Sequence, residues 1–558
     1  MKRYSHLIPN LSDWPIYKIF QKRKTIMTEV EEDLTSYFDS ISTNELDQIL
    51  AKTIYFEKQR VKSNPFKVDP PNEMQYYRKL QKDYNDFHTS DQASVKIKES
   101  VFKLVRRYAE EIAGNFNINT FLFARKITNH FFYILFYKFS WNSLRRSGYK
   151  ANQLPQKMKV VGHIEEVRAL MKNHTIILVP THSSNLDSVL VGYLLDSICG
   201  LPAFSYGAGL NLFDSEFFAF FMNRLGAYKL DRRKKNQIYL QTLNSYSKII
   251  AKNGVHTIFF PGGTRSRSGE VEMKLKLGLL SSMISAQREL IMNSDQRKIV
   301  IVPAVLSYES VLEARSLITQ HLKTTGQEKF TARFTESPIG QYFSLIWRIL
   351  LNESKMCLTI GQPMDVFGNK LNTNGESVDS HEHHLDLSLY FKREGEYHLD
   401  LQRESIYTKE LSDRIAEQYV KYNYLLPAHI VAYCTFKLYG KIYSGQDIYS
   451  MVQMPEDEII LPGDSLIKLI QQVVEILNQR NSEGRMIFMD ELQSPPETIL
   501  LEGCKSLGIF HKDKVVKLLP NGDVMSEDFV TLLYYANKLS NIELENDINW
   551  EKVNFKKA

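Results

Sequence analysis

The chain reads as an α/β protein. A layered domain over residues 156–365 lies between a helical N-terminal region, 1–155, and a mainly helical C-terminal region, 401–558. Two observations predict this. Short apolar runs, among them Thr175-Ile176-Ile177-Leu178-Val179 and Ile299-Val300-Ile301-Val302, have the length and β-branched content of buried strands. They alternate with amphipathic helical segments in the middle third only, whereas both flanks carry helical periodicity. At 558 residues the chain is too long for one domain, and two or three are expected.

In chain order, Ser42-Thr43-Asn44-Glu45 has the form of a capping box that opens a long helix. Pro65, Pro70 and Pro71 mark the loop after it. Residues 366–400 are polar and turn-rich, a linker or surface excursion. Beyond them, 464–479 is clearly periodic at helical spacing. A short strand at 515–519 runs into Pro520-Asn521-Gly522, which predicts a hairpin. No internal repeat is seen.

The most informative stretch is Val179-Pro180-Thr181-His182-Ser183-Ser184-Asn185-Leu186-Asp187. His182 falls where a strand gives way to a helix, and Asp187 follows within the first turn. Its carboxylate can then fix the imidazole tautomer and leave the other ring nitrogen as a base. With no Ser or Cys nucleophile nearby, such a base would act directly on a substrate hydroxyl. The spacing alone is weak, because with 14 His about one such match is expected by chance. A second one, His381 to Asp386, lies in a polar run with no strand before it. That run reads as a solvated loop or an adventitious metal site.

Downstream, Asp231-Arg232-Arg233-Lys234-Lys235 is a compact positive run. It is either a solvated loop or a phosphate site, since the Arg fork pairs bidentately with phosphate oxygens. Next, Phe259-Phe260-Pro261-Gly262-Gly263-Thr264-Arg265-Ser266-Arg267-Ser268 repeats the grammar of strand, glycine turn, then arginines and hydroxyls. Glycines let backbone approach a ligand, and successive N–H groups make an anion nest. Because Arg265 and Arg267 alternate with serines, only one of them need face inward. Lys274 and Lys276 extend the basic wall. A fourth run, Ile299 to Glu309, by itself says only that there is a sheet.

Together these blocks resemble the glycerolipid acyltransferases, specifically the large membrane-associated glycerol-3-phosphate acyltransferases of bacteria and their relatives. The His182/Asp187 block, the Gly226-Ala227 block ending in Arg232 and Arg233, the Phe260–Ser266 block and the Val302-Pro303 strand stand in the family's order. Ser307-Tyr308-Glu309, Gly209-Leu210-Asn211-Leu212 and Gly361-Gln362-Pro363 are similar to the glycerol-3-phosphate branch. The resemblance is strong over about residues 150–370. It implies an acyltransferase-type mixed sheet flanked by helices, and acyl transfer from acyl-CoA or an acyl carrier protein to glycerol 3-phosphate. His182 would be the base and Asp187 its orienting carboxylate. Arg265, Gly263 and Ser266 would hold the acceptor phosphate, with Arg232, Arg233 and Lys274 adding positive potential. No metal and no cofactor beyond the acyl donor is implied. One departure stands out. The third block usually carries Glu where this chain has Gly262, and the resemblance gives that Glu a role in shaping the glycerol phosphate site. Other acceptors therefore stay open, namely 1-acylglycerol phosphate, dihydroxyacetone phosphate or another lysolipid. So do a metal-dependent phosphoesterase and a non-catalytic membrane adaptor.

Composition agrees with work at a membrane surface. The net charge of +6 demands no nucleic acid but favours an anionic leaflet. Cys199, Cys357, Cys434 and Cys504 are scattered, which suggests a reducing compartment and no zinc. No run of 18 apolar residues is present, and the N-terminus lacks a signal-peptide core. The expectation is a peripheral protein on the cytoplasmic face of a membrane. Residues 121–141 mix Phe131, Phe132, Phe136, Phe139 and Trp141 with Arg125, Lys126 and Lys138. That stretch is either an interfacial helix or one buried against the domain, and 343–351 carries the same ambiguity.

Overall fold

A computed structural model describes residues 3–88, 90–136, 157–213, 216–325, 354–443, 450, 459–487 and 489–555. The segment 343–351 lies outside the described residues, as do Lys138, Phe139 and Trp141.

The apolar runs of the middle region form one seven-stranded sheet. Its strands are β1 (Met158–Gly162), β2 (Thr175–Pro180), β3 (Ser205–Gly209), β4 (Ala227–Leu230), β5 (Thr257–Ile258), β6 (Ile299–Tyr308) and β7 (Met356–Ile360). The order is β1-β7-β6-β2-β5-β3-β4. All neighbours are parallel except β6 and β7, so β1 and β7 run against the other five. The sheet is therefore mixed and flanked by helices, as the resemblance implies. Every residue of β2, β6 and β7 is buried, because both faces are covered. That is why these strands read as unbroken apolar runs rather than alternating ones.

The pleat still divides the side chains. Ile176, Leu178, Val300 and Val302 point to one core, which they share with the helix Asp187–Ser197 and the C-terminal helices Pro427–Ile442, Gly463–Ser482 and Phe529–Ala536. Ile177, Val179, Ile299 and Ile301 point to the other, against the helices Leu277–Met292 and Leu401–Lys421. A third core joins the N-terminal helices Arg23–Asp39, Thr43–Ser63, Glu73–Phe87 and Ala93–Ile112 to the helix Gln237–Lys252.

Local signals explain several boundaries. Ser42 caps the helix Thr43–Ser63, its Oγ accepting from the Glu45 N–H at 3.3 Å. Residues 64–72, with their prolines, connect it to the next helix. The polar stretch 366–400 holds two short hairpins and a 3-10 turn. Lys517–Leu518 pairs with Val524–Met525 across the Pro520-Asn521-Gly522 turn. All four cysteines are buried, free thiols.

Candidate active site

The site lies at the C-terminal ends of the parallel strands, where open α/β sheets place their ligands. Thr181, just past β2, is pinned to β6. Its N–H donates to the Ala304 carbonyl at 3.0 Å, and its Oγ1 accepts from the Leu306 N–H at 3.0 Å. His182 follows. Asp187 is the first residue of the helix Asp187–Ser197, so its carboxylate turns back over the loop. Its Oδ2 accepts from His182 Nδ1 at 2.7 Å, from the Ser183 N–H at 2.6 Å and from the Ser184 N–H at 2.9 Å. Its Oδ1 accepts from the Tyr308 hydroxyl at 2.5 Å. A carboxylate so surrounded can only accept, so Nδ1 of His182 carries the proton and Nε2 keeps its lone pair. Asp187 is fully buried, whereas the His182 side chain is 17% exposed. The imidazole stacks on Phe260, with centroids 4.4 Å apart.

The third block wraps beneath His182. After β5 the chain leaves regular structure, and Gly263, at φ +77°, closes a turn onto the Phe260 carbonyl. The Ser266 N–H donates to the His182 carbonyl at 2.7 Å, tying the two loops together. The C-terminal region clamps the far end of this loop. Asn537 Nδ2 donates to the Ser268 carbonyl at 2.9 Å, and a Cβ at Gly269 would lie 2.0 Å from the Tyr534 carbonyl oxygen.

His182 and Phe260 open onto a cavity of about 190 Å³ that Arg232, Arg265 and Arg267 also line. Arg232 is exposed as a residue, the protein around its guanidinium depresses its pKa somewhat, and among the described residues it has no carboxylate partner. Arg265 reaches Glu313 at 3.6 Å. Glu313 also accepts from the Ser184 hydroxyl at 2.9 Å and the Asn185 N–H at 3.0 Å, so it braces the His182 loop. Three arginines beside one base suit a dianionic group.

The structure brings His182, Asp187, Arg232 and Arg265 together and treats the other expected residues differently. Arg267 also lines the cavity, so both arginines face inward where one alone was expected, because residues two apart along a chain near extended geometry share a side. Arg233 turns away from it. Its guanidinium pairs with Asp231 at 2.8 Å and with Asp69, and donates to the Asn64 carbonyl at 3.0 Å. Lys234 is buried beside Glu111 and Glu73. Part of the basic run therefore fastens the N-terminal helices rather than facing a ligand. Ser266 spends its hydroxyl on the Glu270 carbonyl at 2.8 Å, and Gly263 faces the Lys276 stem. Lys274 is exposed and outside the cavity wall. In the second His-x4-Asp match, Asp386 caps Ser388, and His383 pairs with Asp379 on an exposed loop. Among the described residues no three His, Cys, Asp or Glu side chains converge as metal ligands.

Several supporting residues escaped the sequence reading. Tyr308 ends β6, and its carbonyl accepts from Nε2 of the buried His429 at 2.8 Å. Burial holds the His429 pKa down to about 3, so it is a neutral structural donor. Lys538 comes from the far C-terminal region and donates to the Leu306 carbonyl at 3.1 Å. Burial lowers its pKa to about 8 against the pull of Asp187 and Glu272. Glu272 is pushed up to about 8, first by burial and then by the charge on Asp187. No local signal marks Glu272 or Lys538. Tyr308 was visible only as part of a strand ending.

With this geometry in view, comparison with known proteins is informative. Residues 159–307 match the family model described as Acyltransferase. The chain is 30% identical over 244 residues to a glycerol-3-phosphate acyltransferase of Pseudomonas aeruginosa strain PAO1, a stretch covering 43% of this chain and 26% of the relative. Proteins of the same name from Pseudomonas putida W619 and Pseudomonas fluorescens Pf0-1 are each 27% identical, over 47% and 46% of this chain and 28% and 27% of theirs. The chain thus matches about a quarter of the length of these curated relatives. The family resemblance carried by the four sequence blocks is borne out over that stretch.

Proposed function

We propose that the protein transfers a fatty acyl group from a thioester to a hydroxyl of glycerol 3-phosphate. The observation that carries this reading is the His182–Asp187 pair, with its free Nε2, on the wall of a cavity lined by three arginines. Nε2 takes the proton of the acceptor hydroxyl as its oxygen attacks the thioester carbon. The tetrahedral intermediate collapses with cleavage of the C–S bond, and the imidazolium returns the proton to the leaving thiolate. Asp187 stabilises the imidazolium in between. Arg265, Arg267 and Arg232 hold the acceptor phosphate, and holding the hydroxyl against the thioester makes the reaction effectively unimolecular. The donor is acyl-CoA or an acyl carrier protein, and the chemistry needs no metal. The names of the similar Pseudomonas proteins support glycerol 3-phosphate as acceptor.

The work takes place at a membrane surface. Among the described residues no helix is long and apolar enough to cross a membrane. The helix Ile118–Phe136 nevertheless exposes Leu122, Phe123, Ile127 and Phe131, and Phe220 of the helix Glu216–Met222 is exposed as well. On its other side, Phe132 is fully buried against Tyr193. Apolar side chains at this spacing support peripheral docking on the acyl boundary of a cytoplasmic leaflet. Arg125, one of the basic residues of this stretch, is instead engaged by Asp196 at 2.6 Å.

The test is thiol release from acyl-CoA in the presence of glycerol 3-phosphate, 1-acylglycerol 3-phosphate, dihydroxyacetone phosphate and unphosphorylated glycerol. Release that is fastest with glycerol 3-phosphate supports the proposal. Release independent of the phosphate, or none with any acceptor, overturns it.

A further inference from the structure

One carboxylate touches both halves of the site from beyond residues 159–307, the stretch that matches the Acyltransferase model. Glu313 stands at the start of the helix Ala314–Thr324, whose Leu317 and Gln320 line the arginine-bordered cavity. Its Oε1 accepts from the Asn185 N–H at 3.0 Å and lies 3.6 Å from a terminal guanidinium nitrogen of Arg265. Its Oε2 accepts from the Ser184 hydroxyl at 2.9 Å. Glu313 does not reach the cavity itself, but Asn185 and Arg265 both line it. Ser184 passes the contact on. Its N–H donates at 2.9 Å to Oδ2 of Asp187, the oxygen that also holds Nδ1 of His182. A polar contact therefore joins each step of the path Arg265, Glu313, Ser184, Asp187, His182. The C-terminal region fixes the segment that carries Glu313. The Val311 N–H donates to the Tyr535 hydroxyl at 2.9 Å, and Arg315 pairs with Asp513 at 3.0 Å. As an isolated ion pair Arg265 and Glu313 would contribute little, since their side chains are 30% and 19% exposed. The consequence is one of direction: a carboxylate fixed by two other donors aims the guanidinium that faces it.

We infer that Glu313 is a positioning residue that sets the acceptor phosphate and the base in register. Through one carboxylate it aims Arg265 at the phosphate and holds the loop that carries His182. It touches neither the reacting hydroxyl nor the thioester, and no bond or proton changes on it. This inference rests on the acyl transfer reading, since the phosphate that Arg265 holds is the acceptor's.

A double-mutant cycle between Glu313 and Arg265 is the test. Glu313→Gln keeps the shape of the side chain and removes the charge that faces Arg265. In the native background it should raise the Michaelis constant for glycerol 3-phosphate about threefold to tenfold, the range from an exposed ion pair to a charge-assisted hydrogen bond. The constant for acyl-CoA should stay as it is. Beside Arg265→Ala the same change should move the acceptor constant by less than about twofold, because the group it aims is gone. Equal effects in the two backgrounds, or a donor constant raised as much as the acceptor constant, overturn the inference. Ser184→Ala reads the other arm and serves should Glu313→Gln fail to fold. It removes the hydroxyl that reaches Glu313, so kcat should fall about threefold to tenfold with the acceptor constant little changed. A kcat within about twofold of the native value overturns the coupling to the base. Protection against melting by glycerol 3-phosphate reads the acceptor site without turnover. A native protein that is protected yet releases no thiol defeats the acyl transfer reading alone, and the cycle is then judged on that protection.

Discussion

Replacing Tyr308 with Phe removes one hydroxyl and tests how the base is held. The Asp187 carboxylate accepts three bonds on Oδ2, but among the described residues Tyr308 is the one donor to Oδ1, at 2.5 Å. Asp187 is fully buried and Tyr308 is 6% exposed, so no bulk water replaces the lost donor. A hydrogen bond to a charged acceptor contributes about 1.5–3 kcal/mol. If that cost falls on the state in which His182 is protonated, it corresponds to a loss of about tenfold to a hundredfold in kcat, at about 1.36 kcal/mol per decade. The Michaelis constant for the acceptor should change little, because Tyr308 does not line the cavity. Steady-state thiol release with varied glycerol 3-phosphate separates the two constants. A Tyr308→Phe enzyme with kcat within about twofold of the native value would refute this account of Asp187.

Other outcomes follow from the same geometry. His182→Ala should lower the rate about 10²–10⁴-fold, and His381→Ala, on its exposed loop, should leave it unchanged, as read by the same assay. Arg265→Ala should raise the Michaelis constant for the phosphorylated acceptor, with Lys rescuing only in part. Arg233→Ala should instead cost about 1–3 kcal/mol of stability in a denaturant melt, because it leaves Asp69 and Asp231 without their fork. Glu272 binds its proton more tightly in the folded state, with a pKa raised from 4.5 to about 8, so its ionisation costs stability as pH rises through that window. Melting curves should therefore show Glu272→Gln gaining on the native protein from about pH 4.5 to pH 8, and a constant difference would contradict this. Phe123→Glu with Phe131→Glu should release the protein from vesicles, and co-sedimentation unchanged by them would exclude that face as the docking surface.

The sequence made legible what is local. β2 and β6 are buried on both faces, so their runs of Ile, Val and Leu announce them without help from the rest of the chain. His182 and Asp187 are joined by one loop and the start of one helix, so spacing brings them together. What could not be read depends on distant partners. Arg233 looks like a phosphate ligand until Asp69 is folded against it. Lys538 and His429 reach the site because the C-terminal helices share a core with the sheet, a fact of packing that no local pattern carries. Glu272 lies only ten residues beyond Gly262, yet nothing in the order of residues says that its carboxyl group fills the glycine's vacant volume.

The central claim is that Nε2 of His182 deprotonates a hydroxyl held by the arginine-lined cavity. It is tested most directly by the mass of the product formed from acyl-CoA and glycerol 3-phosphate. The account predicts monoacylglycerol 3-phosphate with the native protein and almost none with His182→Ala. An equal yield from both proteins, or free fatty acid as the main product, would contradict it.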